Sequence, residues 1–247
     1  MIIVKTEQEI DAMREPCAIV RDTLAYVGSL VRPGVTTQEL DEAAEGYIRS
    51  RGAIPSCLGY CGYPASICAS VNEEVVHGIP GPRILREGDI VSIDLCAYKN
   101  GFHGDGARTF AVGSIDAEKQ KLLRVTEECF FKGVENLRAG TPLYDIGAAV
   151  QKHAEENGFS VVREYVGHGI GHEMHEDPSV PNYGKRGTGV RLRAGTVLCI
   201  EPMILAGDRH VRVLADGWTA VTQDKRPAAH YENTLVVREG GIEILTL

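Results

Sequence analysis

The spacing of apolar and polar residues along the chain predicts four helices. These are residues 6–30, 36–50, 116–137 and 141–157. Thr36 and Glu39 have the capping-box spacing that starts a helix, and Gly52 and Gly158 are typical helix stops. Pro16 lies inside the first segment, where its ring and its missing N–H would disturb the helix.

Shorter segments that are rich in β-branched residues predict the strands. The predicted strands are residues 67–71, 90–98, 102–112, 160–168, 196–203, 209–214, 230–237 and 242–246. No low-complexity linker interrupts the chain. We therefore expect an α+β protein in which residues 1–247 form a single domain.

The pattern of helices followed by strands occurs twice. The glycines on either side of the second helix recur around the fourth helix at an offset of 106 residues, and residues 85–94 match residues 192–201 at an offset of 107. The halves would be about 1–115 and 116–247, packed around a pseudo-two-fold axis. The matched segments end in Asp94 and Glu201, which would then meet near that axis. Chance similarity between two amphipathic units is the alternative.

The composition places the chain among ordinary globular proteins. It has 247 residues, of which 43% are hydrophobic and 24% charged, which excludes a disordered chain, a collagen-like chain and a simple coiled coil. The net charge of −8 makes nucleic acid or an anionic membrane a poor partner. Seven scattered cysteines, an N-terminus that reaches charge too soon for a signal peptide and no long apolar segment predict a cytoplasmic protein with reduced thiols and no membrane span.

A β-hairpin carries the first candidate chemistry. Asn100-Gly101 is a two-residue turn signal between apolar segments. Its register would pair Asp94 with Ala107 and place Asp94 and Asp105 on one face, with Cβ atoms roughly 7–8 Å apart. Two carboxylates among apolar strand residues are costly to bury unless a cation neutralises them. The alternatives are two solvated aspartates near a loop, and a glycine bulge that changes the register.

Further metal-ligand types lie in the C-terminal half. His168, His172 and His175 fall in a glycine-containing segment that does not have the helical zinc-protease spacing, so one histidine is a candidate ligand. Glu201 follows an apolar strand and precedes a proline, and Glu232 opens another apolar strand. Four carboxylates and one imidazole suit Mn, Fe, Co or Zn, and two divalent ions would balance the four negative charges. Such a pair makes water nucleophilic at neutral pH, which indicates a two-metal hydrolase.

Eight short motifs, spread over nearly the whole chain, make the pattern specific. Together they resemble type I methionine aminopeptidases, members of the pita-bread family that also holds prolidase and aminopeptidase P. The motifs are Val76-His77-Gly78-Ile79-Pro80, Ile93-Asp94-Leu95, Phe102-His103-Gly104-Asp105, Gly167-His168-Gly169-Ile170-Gly171, Met174-His175-Glu176, Ile200-Glu201-Pro202-Met203, Asp216-Gly217-Trp218-Thr219 and Tyr231-Glu232-Asn233-Thr234.

The resemblance implies a pita-bread fold with two related halves around a central antiparallel sheet, helices on its outer face, and a dinuclear metal site. The five ligands would be Asp94, Asp105, His168, Glu201 and Glu232, with Asp105 and Glu232 bridging two divalent ions (Co, Mn, Fe(II) or Zn). Glu201 would also shuttle the proton of the attacking water. A monovalent cation, Na or K, is expected near Asn72 and Glu74, held largely by backbone oxygens.

The resemblance also implies two catalytic histidines and an apolar pocket for methionine. His175 would hydrogen-bond the carbonyl oxygen of the scissile peptide, and His77 would contact its amide. The residues implied to bind substrate are Cys57, Tyr60, Tyr63, Cys68, His77, Met174, His175 and Trp218. For the pocket residues the alternative is ordinary core packing. Cys57, Cys61 and Cys68 do not have a common zinc-knuckle spacing.

Four positions depart from the family pattern without removing a ligand. Met174 stands at a position where phenylalanine is frequent. At three other positions the family pattern leads us to expect a different residue: histidine in place of Cys61, threonine in place of Cys199 and glutamine in place of His230. A flexible thioether at position 174 would loosen the pocket wall. The length leaves no room for the extra N-terminal domain of prolidase or the insertion of type II enzymes, so we expect the minimal form.

The expected activity is removal of the initiator methionine from nascent polypeptides whose second residue is small. The alternatives are a pita-bread binding protein without catalysis and an aminopeptidase of different side-chain preference. The complete ligand set favours an enzyme over the first. We expect a monomer that contacts the ribosome transiently, with Arg186, Arg191 and Arg193 as candidate contacts and a solvated loop as the alternative.

Overall fold

The four helices lie close to where the sequence predicts them. In a computed structural model that describes residues 1–247, they are α1 (Glu7–Leu30), α2 (Thr37–Ser50), α3 (Ala117–Val134) and α4 (Tyr144–Glu156). Thr6 and Thr36 each form a full capping box, with Glu9 and Glu39 respectively. The first helix is unbroken at Pro16, so the expected disturbance does not end it. No helix is both long and apolar enough to cross a membrane.

Fifteen strands pair into one large and two small antiparallel sheets. The strands are β1 (Ile54–Pro55), β2 (Cys68–Val71), β3 (Glu74–Val76), β4 (Ile90–Lys99), β5 (Phe102–Ala111), β6 (Ser160–Val161), β7 (Gly167–Gly169), β8 (Glu176–Val180), β9 (Val197–Ile200), β10 (Met203–Leu205), β11 (Val211–Val213), β12 (Ala220–Thr222), β13 (Ala228–His230), β14 (Glu232–Val237) and β15 (Ile242–Ile244). The large sheet has the order β1-β4-β5-β14-β9-β7-β8, with β2 on β4 and β15 on β14. The α+β class is confirmed.

The predicted hairpin register is confirmed. Lys99 pairs with Phe102, Asp94 with Ala107 and Cys96 with Asp105, and the pairing is continuous from Ile90 to Lys99. The two-residue loop sets the register, and the continuous pairing leaves no bulge at Gly104 or Gly106. Asp94 and Asp105 therefore keep the predicted face.

Three predicted strands are wrong as continuous strands. The segment 160–168 is divided into β6 and β7, the segment 196–203 into β9 and β10, and the segment 230–237 into β13 and β14. In each case one part pairs in the small β13-β10-β6 sheet and the other part in the large sheet. The chain crosses from one sheet to the other at each break. Glu201 lies at one crossing, and Glu232 lies directly after another.

The helices pack on the sheet face that points away from Asp105. A Cβ atom at Gly104 would lie 2.6 Å from the Cys17 nitrogen, and one at Gly106 would lie 3.1 Å from Val20 Cγ1, so α1 lies directly on β5. Because side chains alternate along a strand, Asp105 between these glycines points to the opposite face. The glycines therefore allow close helix packing on the outside, while the inner face carries the polar side chains.

The two pairs of helices pack against the sheets through separate apolar clusters. One cluster of 17 buried residues joins α1 and α2 to β2 and β4, with Ile19, Leu40 and Ile93 among its members. Another cluster joins α3 and α4 to β10 and β13 and includes Val125 and Ile204. Two helices followed by sheet strands thus occur in both the N-terminal and the C-terminal part of the chain.

Candidate active site

Strand register explains why residues far apart in sequence converge. Cys96 pairs with Asp105, Thr234 pairs with Cys199, and Cys199 pairs with His168, so these side chains form one row across the inner face. The Thr234 hydroxyl donates to the Asp105 carbonyl oxygen at 2.8 Å and joins the two parts of the row. One row of side chains therefore runs across the β4-β5 hairpin, the central strands β14 and β9, and the glycine-rich strand β7.

A second row lies beside the first. Asp94 pairs with Ala107, and Ala107 pairs with Glu232. Glu201 follows β9 two residues after Cys199, so it extends towards the same face as its chain turns into the small sheet. The two rows place all four carboxylates and His168 around one centre.

The distances define a compact group of donors. His168 Nε2 lies 3.5 Å from Glu201 Oε1 and 3.9 Å from Asp105 Oδ2. The donor atoms of Asp105, His168, Glu232 and Cys199 all lie within 4.8 Å of one another. Glu201 adjoins this group through His168. Asp94 lies close enough for its charge to raise the pKa of both Asp105 and Glu201.

Cys199 is the member of this group that the sequence analysis did not place among the ligands. Its sulfur also lies 3.5 Å from Thr234 Oγ1. A signal for it was available: Cys199 precedes Glu201 by two residues and so shares its face of the strand.

Burial raises the pKa of every carboxyl group at the centre, and like charge raises it further for three of the four. Burial raises the pKa of Asp94 to about 7. For Asp105, Glu201 and Glu232, burial and then the neighbouring carboxylates raise the pKa well above its ordinary value. Asp105 is 6% exposed and Glu232 2% exposed. No lysine or arginine side chain forms an ion pair with any of the four carboxyl groups, and only histidines pair with Asp105 and Glu201.

Two carboxylate oxygens at the centre have no partner within the protein. Asp105 Oδ1 and Glu232 Oε1 are buried and have no hydrogen-bond partner. An unpartnered buried carboxylate oxygen is costly, whereas oxygen-rich donor sets with an imidazole bind divalent transition ions. The residues present therefore fit a divalent-metal centre.

His168 is held in the form that a metal ligand needs. Its Nδ1 lies 2.8 Å from the Gly169 carbonyl oxygen, which can only accept, so Nδ1 carries the proton and Nε2 keeps its lone pair. Burial lowers the pKa of His168 to about 3, so the ring is neutral at physiological pH.

We expect divalent-metal affinity to rise as pH increases from about 5.5 to 7.5. The raised pKa of Asp94, about 7, means that this carboxyl group binds a proton in the metal-free protein at acidic pH. A metal ion must displace that proton, whereas His168, with a pKa of about 3, is already neutral and has no proton to release in this pH range. Isothermal titration with Mn²⁺ in buffers of different ionisation enthalpy should show proton release. Affinity that is flat or falls with pH would contradict this charge assignment.

His175 stands beside this centre and is oriented by a tyrosine. Its ring centroid lies 4.3 Å from that of His168, and its Nδ1 lies 2.7 Å from the Tyr60 hydroxyl. A hydroxyl that donates to Nδ1 leaves the proton on Nε2, which can then donate to a substrate carbonyl. Burial lowers the pKa of His175, which favours this neutral ring.

His77 lies at the edge of an aromatic cluster. Its ring packs edge-on against Tyr165 at 5.3 Å and Trp218 at 6.5 Å. Its backbone has a φ of 60°, a conformation that non-glycine residues rarely adopt and that is frequent at functional sites. Burial lowers the pKa of His77 to about 4. Tyr165 was not among the residues singled out from the sequence.

Most of the expected pocket residues form one cluster. Tyr63 and Cys68 are buried together with Ala65, and Cys57, Trp218 and Ile79 pack against them. The Tyr63 and Trp218 rings meet edge to face at 5.1 Å. Met174 is buried but lies outside this cluster, in the loop beside His175.

The three neighbouring cysteines differ in their surroundings. Cys61 is exposed while Cys68 is buried, and no group of three or more metal-binding donors forms around them. Cys57 packs against the apolar cluster that contains Cys68, and Cys61 is not part of that cluster.

Comparison with known proteins identifies the class to which this fold and centre belong. Residues 11–239 match the model of metallopeptidase family M24, and the chain belongs to that family. It is 54% identical to the methionine aminopeptidase of Clostridium perfringens, covering 100% of this chain and 99% of the relative. Methionine aminopeptidase 1 of Bacillus subtilis is 52% identical, with 100% and 99% covered.

A solved structure supports the same conclusion. The methionine aminopeptidase of Rickettsia prowazekii superposes with a TM-score of 0.99 at 42% identity and covers 100% of both chains. The predicted pita-bread fold, the membership in a metallopeptidase family and the resemblance to methionine aminopeptidases are therefore confirmed.

Proposed function

We propose that this chain is an aminopeptidase that removes the N-terminal methionine from nascent polypeptides whose second residue is small. The observation that carries the proposal is a buried, cation-deficient carboxylate–histidine centre beside an apolar aromatic pocket. The relatives that are 52–54% identical to it are methionine aminopeptidases, which supports both the bond class and the side chain removed.

The activity depends on divalent metal, as the family and the donor set indicate. We infer two ions, drawn from Co, Mn, Fe(II) or Zn, held by Asp94, Asp105, His168, Glu201 and Glu232. When bound, the ions supply Lewis-acid chemistry that polarises the peptide carbonyl and makes water nucleophilic at neutral pH. A monovalent cation, Na or K, near the backbone of Asn72 and Glu74 remains part of this proposal.

The chain's own residues move the proton and hold the peptide. Glu201, with its raised pKa and its position 3.5 Å from His168 Nε2, accepts the proton of the attacking water and returns it to the leaving amine. His175 donates from Nε2 to the carbonyl oxygen as negative charge develops there. His77 contacts the scissile amide from the aromatic side of the cleft.

The pocket supports a preference for methionine. The aromatic rings of Tyr63 and Trp218 and the sulfur atoms of Cys57 and Cys68 give an apolar, polarisable lining for a thioether. Met174 beside His175 contributes a flexible wall where an aromatic ring would be stiffer. We therefore expect the preference for the N-terminal side chain to depend most on this wall of the pocket.

A set of three peptides tests the proposed specificity. Metal-loaded protein should release methionine from Met-Ala-Ser and leave Leu-Ala-Ser and Met-Lys-Ser intact. Equal cleavage of Leu-Ala-Ser would show a pocket that is wider than methionine requires, and cleavage of Met-Lys-Ser would contradict the restriction to small second residues. No release from any peptide would favour a binding protein without catalysis.

The nature of the substrate also supports a contact with the ribosome. The exposed Arg186, Arg191 and Arg193 lie on the segment that leads into β9. We expect charge reversal of all three to weaken co-sedimentation with ribosomes that carry nascent chains, without changing peptide hydrolysis. Unchanged co-sedimentation would contradict this contact. A cytoplasmic monomer, built as one domain of two related halves, completes the proposal.

A further inference from the structure

Lys5 is the single buried lysine of the chain, and it lies far from the metal centre in sequence. Its side chain is 1% exposed, and its Nζ lies 2.5 Å from Glu176 Oε2, whose side chain is 6% exposed. The two residues are 171 positions apart. A buried lysine must have a partner, and Glu176 is the partner here.

The backbone fixes the position of the Lys5 ammonium group. The Lys5 N–H donates to the Gly195 carbonyl oxygen at 2.8 Å, and Val4 forms an isolated bridge with Thr196. Thr6, the next residue, is the N-cap of α1. Lys5 is therefore held between the start of β9, which leads to Glu201, and the first helix.

Glu176 connects this fixed point to the loop that carries His175. It follows His175 directly and begins β8. While Oε2 accepts from Lys5, Oε1 accepts from the Glu173 N–H at 3.3 Å. The Gly171 N–H in turn donates to the Glu173 carbonyl oxygen at 3.1 Å. One carboxylate thus closes the loop of residues 171–175 against Lys5.

Gly171 shows how closely these groups pack. A Cβ atom at this position would overlap the end of the Lys5 side chain and would lie 2.6 Å from Glu176 Oε1. The loop can pass here only because the residue has no side chain. The lysine, the glutamate and the glycine form one fitted contact at the base of the His175 loop.

Stability alone does not explain a buried ion pair. Desolvation of both charges offsets most of their attraction, and an apolar pair of similar volume is frequently as stable. What the pair supplies is a defined position for the two carboxylate oxygens and hence for the loop that they hold.

We propose that Lys5 is a positioning residue for the reaction, which acts through Glu176 to hold His175 against the substrate carbonyl. The proposal rests on the proposed function, since it concerns the same site. A displacement of about 1 Å in a catalytic group costs up to 10²-fold in rate. Loss of the Lys5 contact should therefore lower kcat through the position of His175 while it leaves the metal ligands in place.

The test is a double-mutant cycle between Lys5 and His175. The variants K5M, H175A and K5M/H175A are compared with the wild type for kcat and KM on Met-Ala-Ser and for Mn²⁺ affinity. We expect K5M to lower kcat by about 10- to 10²-fold with Mn²⁺ affinity unchanged. K5M/H175A should be no slower than H175A, because the lysine acts only through the histidine. R14M, which removes an exposed ion pair with Glu243, is the control and should keep the wild-type kcat.

The outcomes separate this proposal from the proposed function. An inactive wild type would contradict the proposed function itself. An active wild type with an equally active K5M would overturn the positioning role alone, and so would a K5M/H175A variant that is slower than H175A by the full K5M factor. If K5M does not fold, K5M/E176M replaces the ion pair with an apolar pair of similar size that leaves no unpaired charge. Its kcat is expected to stay low, because the carboxylate that holds the His175 loop is absent. A folded K5M/E176M with wild-type kcat would overturn the proposal.

Discussion

Glu201→Gln should lower kcat for methionine release by about 10²- to 10⁴-fold, the range over which a positioned acid–base group accelerates a reaction. The amide keeps the size and one oxygen of the side chain but cannot accept the proton of the attacking water. The raised pKa of Glu201, caused by burial and by Asp94 and Asp105, suits a group that takes up and returns a proton. Steady-state hydrolysis of Met-Ala-Ser under saturating Mn²⁺ measures the effect.

The control for this variant is Glu164→Gln, an exposed glutamate on the segment between β6 and β7. It makes the same chemical change away from the centre and should keep the wild-type rate. Glu201→Ala and Asp94→Ala should abolish turnover in a folded protein. Normal turnover by either alanine variant with saturating metal would contradict the proposed mechanism.

Asp105→Asn is expected to weaken divalent-metal binding by more than about 10²-fold, since loss of even an outer partner of a metal ligand costs 10- to 100-fold. Asp105 lies at the middle of the donor group, and its Oδ1 has no partner within the protein. The amide removes one negative charge and replaces one oxygen with a nitrogen that cannot bind a cation. Competition against a coloured chelator measures the affinity directly.

Thermal unfolding distinguishes loss of the metal from loss of the fold. The Asp105 carboxyl group has a strongly raised pKa because it is buried beside Asp94, so a neutral amide relieves repulsion in the metal-free protein. Metal-free Asp105→Asn should unfold at the same temperature as the wild type or higher, and added Mn²⁺ should stabilise only the wild type. Equal stabilisation of both proteins by Mn²⁺ would contradict the role of Asp105.

Local patterns were sufficient to predict the part of the site that lies in one hairpin. The Asn100-Gly101 turn determines the pairing, and the period of two along a strand then places Asp94 and Asp105 on one face. The capping boxes at Thr6 and Thr36 are equally local and set the starts of α1 and α2. These features depend on neighbours within a few residues, which the sequence displays directly.

Contacts between sheets could not be predicted in this way. The apolar segments around Glu201 and Glu232 appear as continuous strands, because apolar patterning does not show which sheet each residue joins. Glu201 lies at one break between the sheets, and Glu232 opens β14 directly after another. The strands β3 and β8 were missed because a segment of three to five residues that contains charged residues or proline is too short to show a strand pattern in the sequence.

Long-range polar contacts could not be predicted from the sequence either. The pairing of Lys5 with Glu176 joins the first residues of the chain to the His175 loop. Glu176 belongs to one of the motifs, but no spacing or motif marks Lys5 as its partner. Cys199 entered the donor group through its strand partners His168 and Thr234. The ligand set implied by the resemblance remains a prediction for which the shared inner face and the unpartnered oxygens are the support.

The dependence of methionine release on metal is the most direct test of whether this chain is a metal-dependent aminopeptidase. Protein stripped of metal should not cleave Met-Ala-Ser, and adding Mn, Co, Fe(II) or Zn one at a time should restore release with at least one of them. Activity should rise with metal added up to two ions per chain if both sites must be filled. Full activity in the metal-free protein, or no activity with any of the four ions, would contradict metal-dependent removal of methionine by this chain.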